Sequence, residues 1–245
     1  MSSVIVITSG KGGTGKTSVT GGVGAALALM GRTVLCLDAD VGLRNLDITL
    51  GMADTALMDF SDVMAGRCPL ERAVAAHPSI PRLSLLTAPL DLPEDFSGEE
   101  GFRALLDEAR TRFDYVLIDS PAGLGTGSRL AACGADRAVV VTVSDPSSLR
   151  DAQRVVAELD RLETIHLVVN RVRPRLLRQM GQTIDDAMDT AGLPLLGLVP
   201  EDRHVQLAAA AGRPVAQLTD RGAARAYANI ARRLDGQQVP LARIR

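Results

Sequence analysis

The sequence predicts an α/β fold with a single doubly wound, mostly parallel sheet and helices on both faces. Short runs of Val, Ile and Leu alternate with stretches of helical spacing along nearly the whole chain. These runs are continuously apolar, as in strands that are buried on both faces of a parallel sheet. The links are short and the chain has 245 residues, so we expect residues 1–245 to form one domain.

The elements follow one another in the order strand, helix, strand from the start of the chain. The predicted strands are 4–7, 33–37, 83–88, 115–118, 138–143, 165–169 and 195–199. The predicted helices are 17–30, 55–65, 69–75, 102–113, 127–133, 147–162, 183–191, 205–211 and about 220–234. Segments 91–98 and 171–178 contain proline with polar or arginine residues, which predicts surface loops, and 235–245 is a short tail.

A glycine-rich segment joins the first strand to the first helix. Residues 10–18 read Gly-Lys-Gly-Gly-Thr-Gly-Lys-Thr-Ser and match the pattern G-x-x-x-x-G-K-[ST]. The glycines let the backbone turn tightly and aim successive N–H groups into one concavity, to which the helix adds its positive end. A turn without a ligand is the alternative, but the strand-to-helix context favours a phosphate-binding loop. The expected nucleotide-binding residues are Gly10, Lys11, Gly12, Gly13, Thr14, Gly15, Lys16, Thr17 and Ser18.

Two side chains of this loop have distinct chemical tasks in the pattern. Lys16 is expected to reach the β- and γ-phosphates, and the Thr17 hydroxyl to bind Mg²⁺. Lys11 and Lys16 are the only lysines among the 27 basic residues. Because a compact, rotatable ammonium suits a phosphate, this restriction supports a phosphate site.

Carboxylates follow two of the predicted strands. Asp38 and Asp40 come after the strand 33–37, and Asp119 ends the strand 115–118 before Ser-Pro-Ala-Gly. Ligands bind at the carboxyl edge of a parallel sheet, where such acids hold Mg²⁺ or orient the attacking water. An N-cap or turn role is the alternative for the first two.

The loop and both acidic segments resemble a known family. Gly-Lys-Gly-Gly-Thr-Gly-Lys-Thr is similar to the deviant Walker A motif of the MinD/ParA ATPases. Residues 38–47, Asp-Ala-Asp-Val-Gly-Leu-Arg-Asn-Leu-Asp, and residues 119–123, Asp-Ser-Pro-Ala-Gly, narrow the resemblance to its MinD branch. The resemblance extends from residue 5 to about residue 240.

The resemblance implies a role for each candidate residue. Lys11 reaches the phosphates of the opposite subunit, and Asp40 positions the attacking water. Asp38 lies near the metal that Thr17 and Asp119 bind. At the end of the strand 165–169, Asn170 binds the adenine edge, although an asparagine in a turn is also common.

The resemblance also implies an activity and partners. The chain is expected to hydrolyse ATP with Mg²⁺, to form a homodimer with ATP, and to act as a spatial switch in placing the division septum. Its partners would be a division inhibitor similar to MinC and an activating protein similar to MinE.

Composition weighs on three alternatives. A ParA-like protein that binds DNA or another scaffold should show a basic surface. The net charge is −2, with acidic and basic residues interspersed, which argues against binding to nucleic acid. A metallocluster carrier needs paired cysteines, and Cys36, Cys68 and Cys133 lack ligand spacing. The third alternative is a protein that binds nucleotide as a structural switch without hydrolysing it. The presence of Lys11 and Asp40 argues against this alternative.

We expect a cytoplasmic protein that can associate with the inner face of the cell membrane. Family members end in an amphipathic membrane-targeting helix, but residues 241–245 supply two large apolar residues and two arginines, too little for an interfacial helix. Removal of the natural helix, recruitment through a partner and absence of membrane contact all stay open.

Overall fold

The structure is a computed structural model that describes residues 2–53, 55–94, 96 and 98–241. Within these residues, eight strands form one sheet. The strands are β1 Ser3–Thr8, β2 Val34–Asp38, β3 Ala75–Ala76, β4 Leu83–Leu86, β5 Tyr115–Asp119, β6 Arg137–Thr142, β7 Thr164–Val172 and β8 Leu195–Pro200. The helices are α1 Lys16–Leu29, α2 Asn45–Leu50, α3 Phe60–Met64, α4 Leu70–Ala73, α5 Gly98–Arg110, α6 Thr126–Ala132, α7 Pro146–Glu158, α8 Pro174–Gln179, α9 Ile184–Ala191, α10 Arg203–Ala210 and α11 Gly222–Leu234, with a 3₁₀ turn at Val215–Gln217.

The strand order is β3-β4-β2-β5-β1-β6-β7-β8. All neighbouring strands pair in parallel except β3, which pairs antiparallel with β4 at one edge. The first strand therefore lies in the middle of the sheet, between β5 and β6. This arrangement brings the carboxyl ends of β1, β2 and β5 side by side at one edge.

Helices cover both faces of the sheet, as the fold prediction requires. Along β1, Val4 and Val6 point into one apolar core and Ile5 and Ile7 into the other. The first core is covered by α3 to α9, and the second by α1, α2, α10 and α11. The predicted doubly wound α/β fold is confirmed.

The last helix, α11, carries an apolar face of six residues at helical spacing. Its six residues are all buried and belong to the second core: Ala223, Ala226, Tyr227, Ile230, Ala231 and Leu234. Tyr227 is the largest fully buried side chain of the described residues. Packing against α1 therefore accounts for this stripe.

The predicted loop at 171–178 is wrong. Residues 171 and 172 complete β7, and α8 begins at Pro174, which occupies the first turn of the helix. Proline suits that position because its missing N–H has no partner there in any case. The helix predicted at 55–65 is reduced to α3, and α2 and β3 were not predicted. Residues 95 and 97 of the predicted loop 91–98, and tail residues 242–245, lie outside the described residues.

Candidate nucleotide and magnesium site

The glycine-rich loop connects β1 to α1 at the carboxyl edge of the sheet. Gly15 is the N-cap of α1 with φ 91°, a left-handed conformation that favours glycine. No side chain caps α1, so its first N–H groups are available to an external acceptor. A Cβ atom on Gly10 would lie 2.3 Å from the backbone of Asp151 in α7, so the loop packs closely on that helix. The loop has the form of an anion-binding nest.

Two polar groups of the loop make no hydrogen bond with a described residue. The Thr14 hydroxyl accepts and donates no hydrogen bond there. The Lys16 side chain is buried, and its ammonium makes no hydrogen bond or ion pair with a described residue. Leaving such groups unpaired costs free energy. A polyphosphate fits this site because it would supply acceptors for both.

Asp38 and Asp119 are neighbours in register on β2 and β5, and both are buried. Burial raises the pKa of Asp119 to about 7, and the charge of Asp38 adds to this effect. Hydrogen bonds from Thr17 and Thr20 and the charge of Lys16 act in the opposite direction. A divalent cation would compensate the two carboxylates, so the donors fit Mg²⁺.

Asp38 also holds the segment that follows β2. Its Oδ1 accepts a hydrogen bond from the Asp40 N–H at 2.9 Å, and its Oδ2 accepts one from the Leu46 N–H at 3.1 Å. Burial raises the pKa of Asp38 to about 6, against the effect of these two hydrogen bonds. Both carboxylate oxygens therefore support the turn that carries Asp40 and the start of α2.

Asp40 lies half-buried at the same edge of the sheet. Burial raises its pKa, and the charge of Lys16 lowers it. The structure therefore places Asp40 and Asp119 where both interact with the charge of Lys16, and their roles in the reaction stay predictions.

Lys11 is exposed on the outer side of the loop. Its ammonium donates a hydrogen bond to the Ser147 hydroxyl at the start of α7, at 3.2 Å. The Lys11 carbonyl accepts a hydrogen bond from the Ser9 hydroxyl at 2.9 Å. Lys11 is thus held by contacts within its own chain.

Asn170 lies inside β7 rather than in a turn, and it contacts the loop. Its Nδ2 donates a hydrogen bond to the Thr14 carbonyl at 2.8 Å, and its Oδ1 accepts one from the Arg171 N–H at 2.9 Å. A Cβ atom on Gly15 would lie 2.3 Å from this amide nitrogen. Asn170 therefore braces the glycine-rich loop, and its contact with adenine stays a prediction.

The remaining predicted residues lie around this centre. Gly12 borders open space, and Gly13 has a left-handed φ of 80°. Ser18 lines a small cavity with Thr49 and Val205. The structure thus places Ser18 beside α2 and α10.

Sequence reasoning missed Thr20 and Ser147. Thr20 lies one turn after Lys16 in α1, and its hydroxyl contacts Asp119. Ser147 begins the predicted helix 147–162, and in the structure Asp145 caps α7 by accepting the Ser148 N–H. Helical spacing from Lys16 was the signal available for Thr20, whereas no sequence signal links Ser147 with Lys11.

Comparison with known proteins now gives the family. The model of the CobQ/CobB/MinD/ParA nucleotide-binding domain matches residues 5–215. Septum site-determining protein MinD of Synechocystis sp. is 39% identical over 247 residues, covering 98% of this chain and 92% of the relative. MinD of Bacillus subtilis is 40% identical with the same coverage. The chain belongs to the MinD family.

Solved MinD structures have the same fold over the whole chain. MinD in the MinC:MinD cell division complex of Aquifex aeolicus has a TM-score of 0.91 and 36% identity, with 99% of each chain covered. MinD of Pyrococcus horikoshii complexed with Mg-ADP has a TM-score of 0.84 and 30% identity, with 96% of each chain covered. A ParA-family ATPase of Chlorobium tepidum, at 21% identity and TM-score 0.75, shows the fold alone.

Family membership makes the chain an ATPase of septum-site determination and supports this function over the ParA alternative.

In the described part of the chain, no helix is both long and apolar enough to cross a bilayer.

Proposed function

We propose that this MinD-family ATPase binds Mg·ATP in the loop at residues 10–18, dimerises around the nucleotide, and uses hydrolysis to reverse dimerisation. The whole of residues 1–245 acts as one ATPase domain in this proposal. The observation that carries it is the loop itself. The uncapped start of α1 lies beside Asp40 and Asp119, and the Lys16 ammonium interacts with both carboxylates without a hydrogen bond to a described residue. Such a site is complete only with an anion bound.

The proposed mechanism relies on positioning and charge neutralisation. The loop N–H groups bind the phosphates, and Lys16 neutralises the β- and γ-oxygens. Thr17 and Asp119 would hold Mg²⁺, with Asp38 behind them, and the bound ion supplies charge neutralisation at the phosphates. Asp40 orients the attacking water. Hydrogen bonds between the loop and its neighbours keep these groups in place before the nucleotide arrives.

Dimerisation completes the site in this proposal. Lys11 leaves Ser147 and reaches the nucleotide of a second copy, so each subunit adds a positive charge to the other's site. The loss of the γ-phosphate removes part of this attraction. The dimer therefore reports the nucleotide state.

We infer the partners from the relatives. Because the Aquifex aeolicus protein forms a MinC:MinD complex, we propose that the ATP-bound dimer binds a division inhibitor similar to MinC. An activating protein similar to MinE would stimulate hydrolysis. We propose the cytoplasm as the compartment, with peripheral contact at the inner face of the membrane in the ATP-bound state. Cell fractionation and vesicle sedimentation with Mg·ATP and Mg·ADP test these last two statements.

The central experiment is the molar mass in solution, measured by light scattering with Mg·ATP and with Mg·ADP. The native chain should be a dimer with Mg·ATP and a monomer with Mg·ADP. With Mg·ATP, the Lys11→Ala variant should stay monomeric. The Asp40→Ala variant should remain dimeric with Mg·ATP because it hydrolyses the nucleotide slowly. Arg154→Ala, which removes an exposed cation of α7 outside the loop, is the matched control. A native chain that is monomeric with both nucleotides would refute the dimer switch.

A further inference from the structure

Thr20 is a buried residue of α1 that no motif assigns to the site. It is 0% exposed, and it lies on the helix face that meets β5. Its Oγ1 lies 3.0 Å from the Lys16 carbonyl and 3.1 Å from Asp119 Oδ1. The hydroxyl therefore connects the first turn of α1 to a carboxylate that is 99 residues away in the sequence.

The contact with the Lys16 carbonyl alone would be ordinary. Threonine in a helix often returns its hydroxyl proton to the carbonyl four residues earlier. Thr190 in α9 does so on the surface, with its Oγ1 2.7 Å from the Asp186 carbonyl. Thr20 differs because a buried carboxylate lies at hydrogen-bond distance on its other side.

The carboxylate of Asp119 is buried, so its contact with Thr20 affects how it is oriented. Asp119 is 2% exposed, so water reaches it poorly and its hydrogen bonds decide its orientation. Thr17, which would share the metal with Asp119, lies in the same first turn of α1. A bond from Thr20 to one oxygen of Asp119 thus adds to the Thr17 hydrogen bond in positioning the carboxylate that the proposed function assigns to Mg²⁺.

We propose that Thr20 is a positioning residue for the magnesium site. It holds one oxygen of Asp119 in a fixed place relative to Thr17 and Lys16, and it does not touch the nucleotide itself. Outer hydrogen-bond partners of metal ligands act in this way, by orienting the ligand before the ion binds. The inference rests on the proposed function of Asp119.

The test compares Thr20→Val, which keeps the shape and removes the hydroxyl, with Thr20→Ser, which restores it. Thr190→Val is the matched control, because it removes the same helical bond without a carboxylate partner. The readout is binding of a fluorescent ADP derivative, first in EDTA and then as Mg²⁺ is titrated. Thermal unfolding of each variant checks that it is folded.

Thr20→Val should raise the Mg²⁺ concentration at half-saturation by roughly 10-fold or more, the usual effect of losing an outer-shell partner. Its affinity for the ADP derivative in EDTA should equal that of the native chain. Thr20→Ser and Thr190→Val should both stay within about 2-fold of native. If Thr20→Val does not fold, Thr20→Ala is measured by the same titration with the same expectation.

Two results would overturn the inference. One is an equal loss of affinity with and without Mg²⁺ in Thr20→Val, which would make the hydroxyl a structural support of the whole loop. The other is an unchanged Mg²⁺ requirement. Failure of the proposed function would look different, because the native chain itself would then bind the ADP derivative without any effect of Mg²⁺.

Discussion

The Lys11 ammonium donates its hydrogen bond to Ser147 of its own chain, at 3.2 Å. Ser147 in turn donates to Asp145 at 2.6 Å. Burial acts to raise the pKa of Asp145, but hydrogen bonds from Ser147 and Ser148 bring it down to about 2, so the carboxylate is ionised at neutral pH. The lysine expected to serve a second subunit therefore rests beside a negative charge and must leave it.

Removal of this resting contact should favour the dimer. We expect Ser147→Ala to tighten ATP-dependent dimerisation by about 2- to 5-fold, because the lost bond is worth about 0.5–1 kcal/mol at an exposed site. Sedimentation velocity with Mg·ATP measures this change, and Ser147→Thr, which keeps a hydroxyl, is the control. A weaker dimer in Ser147→Ala would show that Ser147 supports the assembled state instead.

Asp38 should affect hydrolysis more than nucleotide binding. Asp38→Asn replaces one of the two oxygens that accept the Asp40 and Leu46 N–H groups by an NH₂ group, which is a donor. The segment that carries Asp40 therefore loses one hydrogen bond. We expect kcat to fall by roughly 10-fold or more, while the Kd for Mg·ADP changes by less than about 3-fold. Steady-state hydrolysis and ADP titration measure the two effects.

The matched comparison is Asp119→Asn, which should raise the Mg²⁺ requirement because Asp119 is the proposed ligand. If Asp38→Asn raises that requirement equally, Asp38 would be assigned to the metal rather than to the turn.

The contacts of Asn170 predict that removal of its side chain weakens the binding of every nucleotide and not of ATP alone. Because its amide holds the Thr14 carbonyl, Asn170→Ala should weaken ATP and GTP binding alike, by about 5- to 10-fold for a buried hydrogen bond of about 1–1.5 kcal/mol. Competition titrations with both nucleotides measure the ratio. A loss confined to ATP would instead support the predicted contact with the adenine edge. Asn229→Ala, on α11, controls for removal of an asparagine side chain elsewhere.

The buried carboxyl of Asp119 should make the stability of the metal-free protein depend on pH. Burial raises its pKa from 3.8 to about 7, so the folded chain keeps this proton at pH values where the unfolded chain loses it. The stabilising contribution is complete below about pH 4 and is lost as the pH rises through about 7.

Asp119→Asn removes this titration. At pH 8 in EDTA, we expect the Tm of Asp119→Asn to exceed that of the native chain by about 4 to 8 °C, which corresponds to about 2 kcal/mol. At pH 5, the two Tm values should be nearly equal. Calorimetry across this range measures the difference, and Asp220→Asn, on an exposed carboxyl, is the control. A Tm difference that is equal at both pH values would contradict the predicted titration.

The sequence could predict what is encoded in contiguous residues. The glycines, Lys16 and Thr17 form a continuous motif, and the structure places this motif between β1 and α1. Apolar runs likewise predicted seven of the eight strands. The two-residue β3 lacks such a run. The proline in segment 171–178 predicts a loop, because proline breaks a helix interior but suits a first turn, and the sequence does not show where the helix begins.

Contacts between distant residues were beyond the sequence. Asn170 and Thr14 are 156 positions apart, and Thr20 and Asp119 are 99 apart. Such pairs depend on strand order and register, which the apolar pattern does not specify. The same is true of Asp38, because the acceptors of the two N–H groups that follow it can be assigned only once the turn is known.

The central position of β1 determines when the site can form during synthesis. The glycine-rich loop is among the first segments to leave the ribosome. Of the two strands that flank β1, β5 begins 97 residues after the loop ends, and β6 follows later. A nascent chain that ends before Asp119 therefore has the loop without the proposed metal ligand and without the strand between β1 and β2. ATP can stabilise the folded domain only after more than half of the chain, through β6, has been translated, so the nucleotide binds to a sheet whose centre is already assembled.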